Sequence, residues 1–599
     1  MRPGFTNKSM NTLPFIPETA PFNTEQRAWL NGFLAGLHSS APAETASAVL
    51  NNSEPLLILF GSQTGSAEGL AKKIAKESQS RGFAPKIYEL NDYEAAQLAA
   101  ANKTVIISST WGDGEPPDNA VNFWSWLNAE TAPRLENLQF AVLGLGDKNY
   151  SDFCGASKKF DERLAALGAK RLQPRGECDV DYETAAKNWI DGLWDKLGGT
   201  GTNAAGTKAS HIALPPLPER QGKATLAVAL YDKAHPFPAR LLKNVLLNQP
   251  GSSKEVRHFE IALGGSGLAY EVGDALGVIP ENCPKLISAI LVALNATGDE
   301  PVKVDDLILP LCAALTEKFD LAKPTSEVLA EISKRNPASE IKALLAPDRA
   351  EDLKQWLRGR DVLDVLIPGQ LTATDLLLLL RKLVPRLYSI SSSLKAHPGE
   401  VHLTVGAVRY ETLGRQRKGV ASTFLADLAN NARCVKVFVQ PSHGFKPPVN
   451  GGTSMIMVGP GTGIAPFRAF LEERAATSAT GKNWLFFGDQ TRSADFLYEE
   501  QLTTWHKAGF LTRLDLAFSR DQAAKIYVQD RMLENAAALW SWLEAGAHFY
   551  VCGDASRMAK DVDAALHKII ETAGGQSTDE AKAYVAKLKS DKRYQRDVY

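Results

Sequence analysis

Leu56-Leu57-Ile58-Leu59-Phe60-Gly61-Ser62-Gln63-Thr64-Gly65-Ser66 is an apolar run that ends in glycines and hydroxyl residues. Residues 67–81 continue with helical spacing. A strand, a Gly/Ser/Thr loop and a helix in that order gather backbone N–H groups and the hydroxyls of Ser62, Thr64 and Ser66 at a helix N-terminus, where they can encircle a phosphate. Alone the loop is a weak signal, because many such loops are only turns. Two later runs repeat the arrangement. Residues 104–108 lead into Ser109-Thr110-Trp111-Gly112-Asp113-Gly114, and residues 140–143 lead into Gly144-Leu145-Gly146-Asp147-Lys148-Asn149-Tyr150. With helical stretches between them, such as 157–167, residues 53–198 predict a doubly wound parallel sheet. All three loops then emerge at the carboxyl ends of the strands, the ligand side of such a sheet. Trp111 and Tyr150 offer two rings able to stack on a flat heteroaromatic.

A chain of 599 residues is too long for one core and predicts three or four domains. The net charge of −1 argues against a nucleic-acid footprint. No apolar run approaches the roughly 20 residues of a membrane span, and residues 1–22 lack the apolar core of a secretory signal. No membrane association and a cytoplasmic location are therefore expected. Cys154, Cys178, Cys283, Cys312, Cys434 and Cys552 are scattered, with no C-x-x-C pair. They give neither a disulfide framework nor an iron–sulfur motif. No metal site is expected, and any metal chemistry must belong to a partner.

Residues 1–52 read as a tail holding one short helix, 23–37, with Asn23 as cap and Gln26 three residues on. Its stripe of Trp29, Leu30, Phe33, Leu34 and Leu37 must bury against its own domain or in self-association. Residues 199–222 are rich in Gly, Ala, Thr and Pro and read as a flexible linker. From 223 to 448 the strands come closer together (225–230, 258–263, 401–407, 434–439), which predicts an antiparallel barrel. The interval 281–380 has helical spacing and reads as an insertion. Strand–helix alternation returns over 449–599, with strands at 455–458, 484–487, 514–517 and 548–551.

Three further motifs lie in these later parts. Arg386-Leu387-Tyr388-Ser389 offers a guanidinium to grip a pyrophosphate, a ring for stacking and a hydroxyl. Gly459-Pro460-Gly461-Thr462-Gly463-Ile464-Ala465-Pro466 follows the 455–458 strand, and its glycines let a backbone approach a pyrophosphate closely. Ser519, Arg520, Lys525 and Tyr527 set two cations and two hydroxyls just after the 514–517 strand, a set suited to a 2′-phosphate. Cys552, in Tyr550-Val551-Cys552-Gly553-Asp554, reads by itself as a small buried thiol.

Residues 53–198 resemble a flavodoxin domain, and residues 53–599 are identified as a member of the diflavin reductase family. The resemblance implies a multidomain α/β plus β-barrel fold: a flavodoxin-like doubly wound domain at 53–198, an antiparallel FAD-binding barrel with helical insertion at 223–448, and a Rossmann-like NADPH-binding domain at 449–599. It implies FMN held by Ser62, Gln63, Thr64, Gly65, Ser66 and Ala67, by Ser109, Thr110, Trp111 and Gly112, and by the third loop from Leu145, Gly146, Asp147, Lys148, Asn149 and Tyr150 through Ser151, Asp152, Phe153 and Cys154. FAD would meet Arg386, Leu387, Tyr388 and Ser389, then Thr404, Val405, Gly406 and Tyr410, with its phosphate on Gly419, Val420, Ala421 and Ser422 and its ring covered by Tyr599. NADPH would use Gly459, Gly461, Thr462 and Gly463 for its pyrophosphate. Ser519, Arg520, Lys525, Ile526, Tyr527, Val528, Gln529 and Asp561 would take its adenosine side.

Ser389, Cys552 and Asp597 match the family's catalytic set, with Asp597 stabilising positive charge on the nicotinamide as hydride leaves. Tyr599 would have to swing aside for the nicotinamide to stack. The family's Y-x-P-G-D turn is matched by Tyr270-Glu271-Val272-Gly273-Asp274, where Val272 replaces the usual proline and predicts a less rigid turn. Asp113, Glu115, Asp118, Glu177, Asp179, Asp181 and Glu183 are either a docking face for a basic partner or solvated surface. The ending Arg593-Tyr594-Gln595-Arg596-Asp597-Val598-Tyr599, with neither a membrane anchor nor a fused haem domain, is similar to the family branch that serves bacterial sulfite assimilation. That branch implies a partner haemoprotein subunit carrying sirohaem and a 4Fe–4S cluster, and a homo-oligomer built through the N-terminal segment. A swing of the FMN domain on the linker would present FMN to the partner. The alternatives are a cytochrome- or flavodoxin-type NADPH reductase with another one-electron acceptor, and a flavin-binding scaffold without turnover.

Overall fold

The computed structural model describes residues 53–62, 65–110, 114–148, 152–180, 182–198, 231–336, 339–366, 371–429, 433–442 and 444–599, without the side chains of Asp118 and Pro347. The expected helix at 23–37, the linker 199–222 and the strand at 225–230 lie outside these residues.

The first sheet contains β1 (Glu54–Gly61), β2 (Phe83–Glu89), β3 (Lys103–Ser109), β4 (Gln139–Leu145), β5 (Lys170–Arg171) and β6 (Gly176–Cys178). Its order is β2-β1-β3-β4-β5, with β6 also paired to β4. Pairing is parallel from β1 to β3 and from β3 to β4. Helices Ser66–Ser80 and Tyr182–Leu197 cover one face, and Val121–Asn128 and Gly155–Ala166 the other. A strand covered on both faces has no solvent side, which is why 56–60 is apolar without alternation. The strand order reverses between β1 and β3, so their loops diverge there and open a crevice.

Next come β7 (Phe237–Ala239), β8 (Leu241–Leu246), β9 (Val256–Ala262) and β10 (Ala275–Ile279). The helical insertion follows, opened by Pro284–Leu294 and carrying the hairpin β11 (Pro301–Val304) and β12 (Leu307–Pro310), with a core of its own. After it come β13 (Arg386–Ser389), β14 (Glu400–Gly406), the hairpin β15 (Arg409–Thr412) and β16 (Arg415–Lys418), and β17 (Val435–Gln440). Two antiparallel sheets, β13-β10-β17-β7 and β14-β9-β8, enclose Phe259, Ile261, Leu276, Val278, Leu403 and Val437. A bridge between Ile390 and Leu403 ties the sheets together.

The last sheet holds β18 (Met455–Val458), β19 (Asn483–Asp489), β20 (Arg513–Phe518), β21 (His548–Gly553) and β22 (Tyr594–Val598). It is parallel throughout, in the order β20-β19-β18-β21-β22. Among the described residues no helix is long and apolar enough to cross a membrane.

Val272 does not leave its turn loose. Gly273 has φ +93°, and a Cβ there would stand 1.8 Å from the Phe445 carbonyl oxygen. Asp274 accepts from the backbone N–H of Glu271 and of Ser442, both at 2.8 Å, and from Lys446 Nζ at 2.6 Å. Val272 itself is buried in the core beside Phe445 and Phe470. A carboxylate hub supplies the rigidity that proline would have given.

The outer face of β9 and β14 carries His258 and His402, buried beneath Tyr498 and the Arg468 and Glu472 side chains, with Glu260 half-buried beside them. Burial and the Arg468 guanidinium lower the pKa of His258 to about 4. The unfolded chain titrates near 6.5. The folded value is the depressed one, so the stability contribution is complete above pH 6.5 and is lost as pH falls towards 4. Over that window the loss is about 3 kcal/mol. Melting curves at pH 7 and pH 4.5 are expected to diverge for the wild type and to converge partly in His258→Asn; parallel acid sensitivity in both would refute the assignment.

Candidate functional site

Three loops meet at the switch point of the first sheet. Gly65 takes φ +82° and caps the helix Ser66–Ser80, whose buried Ala67 sits in its first turn. The Ser62 N–H donates to Asn119 Oδ1 at 2.9 Å. Ser62 Oγ and Thr110 Oγ1 are buried with no hydrogen-bond partner among the described residues. Two such hydroxyls at the ends of β1 and β3 fit a bound phosphate, since buried polar groups are rarely left unpaired. Ser109 Oγ donates to the Gly61 carbonyl and the Thr110 N–H to that of Leu145, which joins the three loops.

In the third loop Gly146 donates to the Cys178 carbonyl, and the Lys148 N–H to Asp179 Oδ1 at 3.0 Å. A Cβ on Gly146 would meet the Cys154 nitrogen at 2.8 Å. Lys148 lies over the Phe153 ring, and Asp152 pairs with Lys158 at 3.6 Å. Burial pushes the Cys154 thiol up to about 12, so it packs rather than reacts. Gln63, Thr64, Trp111, Gly112, Asn149, Tyr150 and Ser151 lie outside the described residues, as do Asp113 and Asp181. Four of the acidic residues near these loops are paired within the chain: Glu115 with Lys159, Glu177 with Arg175, Asp179 with Arg381 and Glu183 with Lys233.

In the barrel, β13 pairs with β10 so that Ser389 faces Ala275 and Tyr388 faces Leu276. Arg386 has no carboxylate within ion-pair distance among the described residues, and its charge is felt at Lys323, alongside that of Arg381. A guanidinium with no ion-pair partner among the described residues suits a pyrophosphate. Ser422 Oγ accepts from the Val408 N–H at 3.1 Å and Gly419 donates to the Val408 carbonyl, which shapes the Gly419, Val420 and Ala421 turn. Tyr410 stands on the exposed β15–β16 hairpin, away from the residues that line the cavity described next.

One cavity of about 620 Å³ joins these parts. Its walls come from Glu89 of the first sheet and Ser62 and Asn119 of the loops beside it, from Leu387, Tyr388, Ser389, Thr404, Val405 and Gly406 of the barrel, and from Thr462, Asp597 and Tyr599 of the last domain. The volume is that of a cofactor pocket. In its wall Ser389 Oγ donates to Asp597 Oδ2 at 2.6 Å, and Cys552 Sγ donates to the same oxygen at 3.9 Å. The β21–β22 register sets Cys552 opposite Asp597. Burial raises the Asp597 pKa above the ordinary carboxylate range, against the two hydrogen bonds that lower it. The Cys552 thiol, fully buried beside that carboxylate, is pushed well above its usual value and stays protonated. Tyr599 donates its N–H to the Gly553 carbonyl at 3.0 Å, and its hydroxyl lies 3.0 Å from Thr462 Oγ1.

The Gly459–Gly463 loop is close-packed. A Cβ on Gly459 would meet the Gly463 carbonyl at 2.5 Å, and one on Gly463 the Cys552 carbonyl at 2.2 Å. Gly461 takes φ +58°. Beside it Lys254, from the turn between β8 and β9, pairs with Asp489 at the end of β19. Neither was legible in the sequence, where they stand as a lone lysine and a lone aspartate 235 residues apart. Ser519 and Arg520 are anchored by backbone bonds to the Asp489 and Gln490 carbonyls. The Arg520, Lys525 and Tyr527 side chains are exposed, and neither cation has an ion-pair partner among the described residues. Ile526 and Val528 pack inward, while Gln529 Nε2 lies 3.4 Å from Asp561 Oδ2.

Family models agree with this architecture in chain order: flavodoxin at 58–189, FAD binding domain at 230–424 and oxidoreductase NAD-binding domain at 457–564. The class is that of the diflavin reductases, oxidoreductases with FMN, FAD and NADPH as cofactors. Similar full-length proteins bear one description, sulfite reductase (NADPH) flavoprotein alpha-component. That of Bacillus subtilis strain 168 is 43% identical over 588 residues, 96% of this chain and 95% of its own length. One from Vibrio cholerae is 44% identical over 96% of this chain and 94% of its own, and one from Neisseria meningitidis 43% identical over 98% and 99%. The chain belongs to the family of these sulfite reductase flavoprotein alpha-components.

Proposed function

We propose that the chain draws hydride from NADPH and passes the electrons one at a time to a sirohaem/4Fe–4S haemoprotein that reduces sulfite to sulfide. The flavins supply the conversion of a two-electron donor into single electrons when bound. The observation that carries the reading is the shared cavity, in which Ser62 of the first loop system, Ser389 of the barrel and Asp597 of the last strand line one volume. Arg386 and Tyr388 would hold the FAD pyrophosphate and ring. Ser62 and Thr110 would hold the FMN phosphate, with Trp111 and Tyr150 against its ring. Arg520 and Lys525 would select NADPH through its 2′-phosphate.

Ser389 and Cys552 orient the Asp597 carboxylate, whose charge stabilises the nicotinamide cation left as hydride departs. Tyr599, tethered through Thr462 to the dinucleotide loop, screens the cavity until NADPH arrives. The domain bounds 53–198, 223–448 and 449–599, self-association through the 23–37 stripe and a cytoplasmic location complete the reading; all six cysteines are free thiols, as a reducing compartment leaves them. Reconstitution with a sirohaem/4Fe–4S haemoprotein, NADPH and sulfite is expected to yield sulfide. Brisk reduction of artificial one-electron acceptors without sulfide would leave a generic NADPH reductase instead.

A further inference from the structure

Hydride chemistry in the cavity leaves a proton behind. NADPH enters with a C–H bond, the hydrogen moves with its electron pair, and both electrons then depart singly. The balance is NADPH to NADP⁺, two electrons and one H⁺, and that proton must reach solvent from a buried place.

Thr404, 5% exposed, lines the cavity. The Ile390–Leu403 bridge brings Ser389 and Thr404 to neighbouring positions on adjoining strands. Thr404 Oγ1 lies 2.7 Å from the Tyr498 phenol oxygen, which lies 2.9 Å from His258 Nδ1. On the other side of the ring, His258 Nε2 is 3.3 Å from Glu260 Oε1, which also accepts from Lys243 Nζ at 3.0 Å. Lys243 keeps 61% of its side chain exposed. Tyr498 occupies the left-handed region, φ +57°, a conformation costly for a bulky residue and kept where the surrounding structure over-determines it. Building on the reductase reading, we propose that Thr404, Tyr498, His258 and Glu260 form a proton path from the flavin cavity to solvent beside Lys243.

Each group suits its place. Hydroxyls both donate and accept, and a neutral imidazole takes a proton at one nitrogen while releasing one from the other. Tyr498, His402, Arg468, Glu260 and Lys243 surround the His258 ring. The Arg468 guanidinium and burial keep that ring neutral at rest, so a proton passes through rather than lodging. The same guanidinium, 3.5 Å from His402 Nδ1, disfavours a metal cation among His258, Glu260 and His402.

The test mixes the flavin-loaded, full-length protein with NADPH and ferricyanide in weak buffer containing a pH indicator. Tyr498→Phe and His258→Asn are expected to slow proton release about 10²-fold, the low end for loss of a positioned proton-transfer group, while bleaching of the flavins by NADPH alone keeps the wild-type rate. Added imidazole is expected to restore release in His258→Asn. A second readout needs no turnover: in the full-length chain labelled with ¹⁵N-histidine and stripped of flavin, the His258 Nδ1 resonance is expected to shift in Tyr498→Phe. Glu260→Gln replaces either ring variant that fails to fold. Unchanged proton release in the variants, with bleaching intact, overturns the path. Failure of NADPH to bleach the wild-type protein sinks the reductase reading instead, and the path with it.

Discussion

Replacing Asp597 by asparagine is expected to slow the bleaching of bound flavin by NADPH about 10²-fold, the usual loss when one preorganised electrostatic contact is removed from a developing charge. The side chain keeps its shape and can still accept from Ser389 and Cys552, so only the charge is lost. Because burial raises the Asp597 pKa, the active, ionised form is reached only above the ordinary carboxylate range. The wild-type rate is expected to rise with pH through that raised value, and the acid limb is expected to vanish in Asp597→Asn. Ser389→Ala removes a hydrogen bond that lowers the pKa, and should move the limb to higher pH. Linkage runs the other way for stability. A carboxyl with a folded pKa above its unfolded one is destabilising once ionised, so Asp597→Asn should not melt below the wild type at neutral pH. Stopped-flow traces across pH decide this: an asparagine variant with a wild-type rate and an intact acid limb would remove Asp597 from the chemistry.

The double substitution Arg520→Ala, Lys525→Ala is expected to raise KM for NADPH by about 10²-fold and leave KM for NADH unchanged. Charge-assisted hydrogen bonds to phosphate are worth about 1.5–3 kcal/mol each, and exposure of both side chains puts the pair at the low end of that sum. Neither cation has an ion-pair partner to neutralise it among the described residues, so each is available to a ligand. The preference for NADPH should also weaken with added salt in the wild type, because exposed charges are screened, and that salt dependence should disappear in the variant. An unchanged ratio of NADPH to NADH specificity in steady-state kinetics would rule out this cluster as the selector.

The loops proposed to hold phosphates were legible as strand–turn–helix units because each is contiguous. The run at 56–66 holds its strand, its turn glycine and its helix start within eleven residues, and the structure forms β1, Gly65 at φ +82° and the helix Ser66–Ser80 from them. The β13 motif and the loop after β18 were readable for the same reason. Val272 was harder. Its sequence signal, a missing proline, pointed to a looser turn, whereas the Asp274 hub that stiffens it draws on Ser442 and Lys446, about 170 positions away. The acidic residues near the first loops read either as a docking face or as solvated surface, and no spacing along the chain shows that Asp179 and Glu183 pair with Arg381 and Lys233 of later segments.

Sequence by itself determined which nucleotides the chain can hold and in what order, because a phosphate or pyrophosphate is gripped by neighbouring backbone amides whose geometry a short stretch dictates. Tertiary structure alone decided that these sites meet. Ser389 reaches Asp597 across 208 residues, Lys254 finds Asp489 across 235, and Tyr498 links Thr404 to His258 across 94 and 240. Such contacts arise where separately folded sheets pack, and the spacing of residues along one strand or helix carries no record of which distant surface will come to lie against it.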